Sequence, residues 1–455
     1  MGYVFYDTET SGLNTRHDEI LQFAAIVTDA HFEEQERFEI KLRLSPHVIP
    51  SPKALFINDT PLAECFSSLR ASQFDGMAEI HAFITERSPA TFAGWNSIGF
   101  DEEIIRHSFY RQLLGAFPTS LYGNARMDIM SIARATDALR SGSITIQHGD
   151  DGKKSFKLQN VCAANGYKPR VAHEAMSDVE ACLYLARLIH EREPEIWSAF
   201  AQTSRKNSAM EIVKSKSPCV VVTGWKDYTR SFVGVEIGCD PKLSMYSYVL
   251  DLSAPLPDFN IADHDACAKW FNQTPAPIIK IRCNASPMII PIDDLEEYDD
   301  VVDDLTLRAS EILANTNLTR DITNAFCKHI DKEQSNTHVE EMLYDGFPVG
   351  DTDQIMTRFR EVDWSDRLSI AQQFPDARYR KFAMRILAEH TPELMEASDR
   401  VRYQTFIAAR QHSEDSDDFP WMSLSRAKNQ FLEIPEHCRE VWIKQFAETY
   451  KDLEV

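Results

Sequence analysis

The spacing of apolar residues changes character twice along the chain, and this limits the architectures it can adopt. Up to about residue 194, short apolar runs alternate with helical patterns. YVFYDTET, ILQFAAIVTDA (apolar from Ile20 to Thr28) and RFEIKLRL (Phe38, Ile40, Leu42 and Leu44 alternating) read as strands. EEIIRHSFYRQLL, DIMSIARATDAL and MSDVEACLYLARLIHE read as helices, the last with Val179, Cys182, Leu183, Ala186 and Ile189 at helical spacing. Strands alternating with helices predict an α/β layer architecture. The polar, basic stretch AQTSRKNSAMEIVKSKSP reads as a connector, followed by the β-rich runs VVVTGW, SFVGVEI, SYVLDL and PIIKIRC, which suggest a small barrel or sandwich. Beyond about residue 334, RYRKFAMRILAEH, SDRVRYQTFIAARQH and EVWIKQFAETY carry apolar stripes that predict helices packed on one another. A length of 455 residues agrees with several domains. The expected division is 1–194, 195–333 and 334–455.

The chain lacks the apolar run of about 18 residues that a membrane helix needs. Its start lacks the pattern of a signal peptide, so the expectation is a cytoplasmic protein with no membrane partner. Nine cysteines without a C-x-x-C pair fit reduced thiols better than disulfides or zinc. A formal charge of -22 argues against a surface that attracts nucleic acid everywhere, while leaving room for a local basic groove and for acids neutralised by divalent cations.

The acids of YVFYDTET stand out by their setting. D-x-E recurs at Asp101/Glu103, Asp178/Glu180, Asp294/Glu296 and Asp452/Glu454, so the spacing alone means little. Asp7 and Glu9, however, end an apolar strand, where residues two apart share a face and the two carboxylates stand side by side. Paired anions are stabilised by cations; the plain alternative is the solvated end of a strand. Two further segments bear on the choice. In FAGWNSIGFDEE, Asp101 stands at a helix start, where a cap is its commonest role. In AHEAMSD, His173 precedes a helix and Asp178 lies in its first turn; on one helix they would be about 140° apart, so both reach one site only with His173 on the preceding loop. Four carboxylates and one imidazole suit hard cations, Mg²⁺ or Mn²⁺, better than zinc. A pair of such ions can clamp both oxygens of a phosphodiester displacement, and a neutral histidine can deprotonate water.

D-T-E, N-S-I-G-F-D and H-E-A-M-S-D, in this order, resemble the three motifs of the histidine subclass of DEDD exonucleases. AGWNSIGFDEEIIRHSFYR, SFKLQNVCAANG, VVVTGW, YVLDL, IRCNASP and LYDGF extend the resemblance along nearly the whole chain to the bacterial exonuclease I family. That resemblance implies a ribonuclease H-like α/β exonuclease domain, an SH3-like β-barrel domain and a C-terminal helical domain. It implies 3′→5′ removal of 5′-mononucleotides from single-stranded DNA, in repair or recombination, with two Mg²⁺ ions (Mn²⁺ as the alternative). Asp7, Glu9, Asp101 and Asp178 are then the metal carboxylates, His173 the general base, and Glu9 also a contact to the terminal nucleotide. Lys157, Arg106, Arg134, Phe117, Lys206, Asn284 and Trp270 (or Phe271) fall on positions resembling strand contacts, where cations track the backbone and aromatic rings lie under bases.

The family also docks the acidic tail of single-stranded-DNA-binding protein. Here the segment after Pro291 reads IDDLEEYDD, which would repel such a tail, so no contact residue is carried over for that partner. The expected state is a monomer. Two other readings stay open: a proofreading or RNA-directed nuclease with the same site, and a non-catalytic single-strand-binding scaffold.

Overall fold

The computed structural model describes residues 2–149, 152–168, 174–225, 228–331, 336–416 and 418–451. The first zone is built on a five-stranded mixed sheet ordered β3-β2-β1-β4-β5, formed by β1 (Tyr3–Thr10), β2 (Ile20–Thr28), β3 (Glu34–Lys41), β4 (Thr91–Gly94) and β5 (Ala125–Asp128). β1 pairs antiparallel with β2 and parallel with β4, and β4 runs parallel to β5, so the C-terminal ends of β1, β4 and β5 emerge along one edge. Alternation along β1 divides the core. Phe5 faces the helix Ala175–Arg192 with Val179 and Cys182, whereas Val4 and Tyr6 face the opposite layer with Ile80, Ile104 and Phe109. β3 begins four residues earlier than the alternation from Phe38 suggests and stops at Lys41; Leu42 adds only a single bridge to Ala71.

The second zone carries an antiparallel sheet ordered β10-β6-β7-β8-β9, with β6 (Cys219–Trp225), β7 (Tyr228–Cys239), β8 (Tyr246–Asp251), β9 (Ile278–Arg282) and β10 (Met288–Pro291). Among the described residues β9 and β10 remain its two edges and no ladder closes it into a barrel. Pro291, which has no N–H to give a ladder, ends the edge strand β10. Helices Val302–Ala314 and Thr316–Ile330 cover this sheet with Ile312, Ile322 and Phe326.

The predicted connector is helical instead. Pro194–Thr203 and Lys206–Lys214 form helices because Ile196, Trp197, Phe200, Ala209 and Val213 recur on one side and are buried, a stripe that the surrounding polar residues obscure. The C-terminal helices do more than pack on one another. Phe74 and Tyr110 of the first zone join Phe359, Phe374 and Phe382 in one cluster, and Leu21, Leu44 and Leu55 join Phe431, Trp442 and Phe446 in another. Val220, Val222, Met288 and Ile290 of the second sheet likewise enter the core around Phe5 and Val179. No helix among the described residues is long and apolar enough to cross a membrane, and all nine cysteines are free thiols.

Candidate active site

β1 outruns its parallel neighbour, and the site occupies the space this leaves. The β1/β4 register stops at Phe5↔Ala93, and β4 ends at Gly94. A Cβ at Gly94 would lie 2.7 Å from both the Tyr6 carbonyl oxygen and the Ser97 side chain, so only glycine lets the chain leave the sheet there. Asn96 follows with φ of 60°, a left-handed turn that asparagine tolerates. The turn delivers Asp101 to the start of the helix Asp101–Arg111. Its Oδ1 accepts hydrogen bonds from the Thr8 backbone N–H (3.1 Å) and hydroxyl (2.5 Å), which would otherwise face an empty strand position.

Asp7 and Glu9 continue the face of β1 on which Phe5 packs against the helix Ala175–Arg192, and Asp178 stands in the first turn of that helix. One carboxylate oxygen each of Asp7, Glu9 and Asp178 lies within 4.8 Å of the others. The β1/β2 register shifts between Glu9 and Thr10, an irregularity that re-aims the strand just past the second acid. Both helix N-termini present positive dipole ends to the cluster.

The electrostatics are those of crowded, desolvated anions. Burial, then repulsion from Asp101, Glu9 and Asp178, pushes Asp7 well above the usual carboxylate range. Burial followed by Asp178 and Asp101 lifts Glu9 from 4.5 to about 8, against a hydrogen bond from Asn58. Asp101 rises to about 7 through burial, opposed by the Thr8 hydrogen bonds, and Asp178 to about 6 through burial. Asp178 Oδ1 is buried with no hydrogen-bond partner among the described residues. An all-oxygen set with an orphaned buried oxygen and mutually repelling charges fits a hard divalent cation.

The cluster opens into a cleft of roughly 1640 Å³ between the two sheets. Trp95, Asn96 and Lys157 line it on the first-zone side, and Thr223, Gly224, Arg282, Ala285 and Met288 on the other. Lys157 is exposed at the cap of the helix Leu158–Ala164. Arg134 also lines the cleft, its guanidinium 4.0 Å above the Phe156 ring and its Nη1 3.3 Å from Thr229 Oγ1.

The other sequence candidates among the described residues are not part of the cleft lining. Arg106 is paired inward with Glu102 (2.7 Å) and Glu103 (3.1 Å), and Phe117 lies 5.2 Å from it; neither lines the cleft. Lys206 is exposed at the start of its helix, outside the cleft lining. Trp270 and Phe271 are core residues of the second zone, packed with Phe326, and Trp270 Nε1 donates to the Pro255 carbonyl; burial removes both rings from stacking on a base. Trp270 and Phe271 thus lie inside the second zone, away from the cleft lining. Asn284 sits in the turn after β9, where its carbonyl accepts a hydrogen bond from Arg126. His173 lies outside the described residues.

Asp128 was not among the sequence candidates, yet it lines the same cleft. It caps the helix Ile129–Leu139 through Ser131 N (3.2 Å), accepts from Asn96 N (3.2 Å), and is raised to about 6 by burial. Its sequence signal, an acid just ahead of the helical pattern IMSIARATDAL, reads as an ordinary cap.

A mixed 3-2-1-4-5 sheet with carboxylates at the C-terminal end of its central strand and in the first turns of two helices, one on each face of the sheet, defines a ribonuclease H-like exonuclease fold. A family model described as "Exonuclease" matches residues 4–186, and one described as "Exonuclease I C-terminal domain" matches residues 337–439. These matches make the chain similar to the exonuclease I family. It is 26% identical over 428 residues to a curated protein of Escherichia coli (strain K12) named exodeoxyribonuclease I, covering 88% of each chain. It is 25% identical to the protein of that name from Haemophilus influenzae, covering 89% of each. The Escherichia coli exonuclease I structure with a dA16 oligonucleotide superposes with a TM-score of 0.84 at 21% identity over the whole of both chains, a likeness of fold. The exonuclease I of Methylocaldum szegediense superposes with a TM-score of 0.84 at 25% identity over 99% of each chain.

Proposed function

We propose that this protein is a 3′→5′ exodeoxyribonuclease that hydrolyses single-stranded DNA from its 3′ end to 5′-mononucleotides, in DNA repair or recombination. The observation that carries the reading is the convergence of Asp7, Glu9 and Asp178 at the end of β1, with Asp101 pinned beside them, in a chain similar to the exonuclease I family. Relatives described as exodeoxyribonuclease I, and neighbours crystallised with oligonucleotides, support single-stranded DNA as the substrate.

Asp7, Glu9, Asp101 and Asp178 would hold Mg²⁺, with two ions as the proposed complement. When bound, the ions lower the pKa of attacking water and stabilise charge on the departing oxygen. The chain's own residues do the rest. Thr8 fixes Asp101 against β1 through one carboxylate oxygen, which leaves the other uncommitted to Thr8. Glu9, at the strand tip, is placed to meet the terminal nucleotide. Lys157 offers a cation to a phosphate from the cleft wall. His173 is proposed as the group that takes the proton from water. Arg134 and Asn284 border the strand path in this reading, and the second sheet serves as an SH3-like domain within the division 1–194, 195–333 and 334–455.

Single-stranded-DNA-binding protein is the partner that a structural neighbour, described as a complex of that protein with exonuclease I, brings to mind for this chain. Here Asp293, Asp294, Glu296 and Glu297 occupy the turn after β10 and would disfavour an acidic tail at that place. Digestion of 3′-labelled single-stranded DNA, duplex DNA and short RNA with Mg²⁺ or EDTA, beside Asp7→Ala, tests the reading. Mg²⁺-dependent release of mononucleotides from single-stranded DNA alone is expected. Equal activity in EDTA, or preference for RNA, overturns it.

A further inference from the structure

The motif acids leave their neighbour Glu102 unexplained. It is fully buried one residue after Asp101, and four side chains converge on its carboxylate: Tyr6 Oη (3.2 Å), Thr119 Oγ1 (2.5 Å), Arg106 Nη2 (2.7 Å) and Arg126 Nη1 (3.2 Å). Burial alone would raise its pKa, but Arg106 and Arg126 outweigh it and keep the group ionised. Each of the two arginines also has a second partner.

Arg106 turns back to its own helix, to Ser120 and, at 3.4 Å, to Tyr344 Oη, away from the second sheet. Arg126 does not. It sits in β5, the edge of the first sheet, is only 8% exposed, and extends its other terminal nitrogen, Nη2, to the carbonyl oxygen of Asn284 across the zone boundary. Asn284 lies in the turn after β9, closed by the Ala285 N–H donating to the Arg282 carbonyl (2.9 Å) and followed by Ser286 at φ of 47°. Arg282 and Ala285, on either side, line the cleft.

We infer that Arg126 is a positioning residue that sets the width of the cleft, one end of its guanidinium fork on the first turn of the helix bearing Asp101 and the other on the opposite wall. The fork is what makes this arrangement work: two nitrogens at fixed separation hold two oxygens of different zones in one plane, whereas an ammonium engages as a single point. Glu102 transmits the hold to Asp101 through one peptide unit, and Thr8 completes it from β1. The wall that faces a long strand is thereby indexed to the carboxylates that face its end.

The inference rests on the nuclease reading for its kinetic arm and is independent of it for its binding arm. Full-length wild type, Arg126→Gln and Arg126→Lys are compared in three measurements: binding of fluorescent oligo-dT in EDTA, Mg²⁺-dependent kinetics on oligo-dT and on the p-nitrophenyl ester of thymidine 5′-monophosphate, and thermal denaturation. Both variants are expected to raise the oligo-dT Kd and KM about tenfold, the scale of one lost charge-assisted hydrogen bond, with ester turnover within about twofold of wild type. Arg126→Lys, which preserves the charge, separates the fork from simple ion pairing. The double variant Arg126→Met/Glu102→Gln, which leaves no unpaired charge between them, is expected to keep the weakened oligo-dT binding even if a single variant unfolds. Equal losses on oligo-dT and the ester, full recovery by lysine, or wild-type Kd in a folded variant overturns the inference. Wild-type protein that binds oligo-dT without cleaving it overturns the nuclease reading, and the Kd values then decide Arg126.

Discussion

Two groups of buried carboxylates sit in this molecule under opposite electrostatic conditions. At the end of β1, Asp7, Glu9, Asp101 and Asp178 are all raised by burial, and Asp7 and Glu9 further by the carboxylates beside them. At the junction with the C-terminal helices, Glu340 is 3% exposed but accepts from Arg385 (2.8 Å) and Arg410 (2.9 Å), which hold it far below the usual range against the effect of burial. The first group is anionic only at a cost that an added cation removes. The second carries its cations in the sequence. A buried acid becomes a binding site when its counter-charge is missing and a structural tie when it is supplied.

The largest effect should come from the uncompensated group. Asp7→Asn is expected to lower nucleotide release by about 10³-fold or more, because it removes a proposed ligand to the divalent metal on which the reaction depends. The same substitution should raise the melting temperature of the metal-free protein, since a repelling charge is gone; a lower melting temperature in EDTA would place Asp7 with the structural acids instead. His173→Ala is expected to cost about 10²-fold or more in kcat and to flatten the limb of the pH–rate profile near neutrality, as removal of a general base does. An unchanged profile would remove His173 from that role.

The compensated group should respond in stability. Glu340→Gln leaves the buried Arg410 and the half-buried Arg385 short of a counter-charge and is expected to destabilise by about 3–5 kcal/mol in urea unfolding, with activity per folded molecule retained.

The two groups also predict opposite pH dependences. Glu9 binds protons more tightly folded than unfolded, its pKa rising from 4.5 to about 8. Its contribution is therefore complete below about 4.5 and is lost as pH rises towards 8 in EDTA, and Mg²⁺ should flatten that loss. Glu340, with a depressed folded value, contributes above its unfolded pKa and loses this only in strong acid. The smallest effect is expected for Lys157→Ala, an exposed cation, with KM for single-stranded DNA rising a fewfold, about 2–10-fold, and kcat preserved.

Much of the first group was legible because strand periodicity is strict: Phe5, Asp7 and Glu9 share a face wherever β1 goes, and that face leads to Asp178. The two sheets and the run of helices after them were visible for the same reason, as changes in period. What stayed hidden depends on contacts between distant elements. In FDEE, sequence cannot say which acid is pinned by Thr8, which is swallowed among Tyr6, Thr119 and two arginines, and which stays half-exposed. Cations and aromatic rings serve surfaces and interiors alike, so the sequence does not show that Arg106 pairs with Glu102 or that Trp270 is buried beside Phe271. Asp128 passed as a cap, which it is, and its place in the cleft follows from the parallel register of β5 with β4.

The apolar core around Phe5 includes Val220 and Met288 of the second sheet, and Phe74 and Leu21 are buried by C-terminal helices. Such sharing has a consequence for calorimetry and for dissection. A fragment ending near residue 194 would present to water the apolar faces its neighbours normally cover, and the intact chain should melt as one cooperative unit rather than zone by zone.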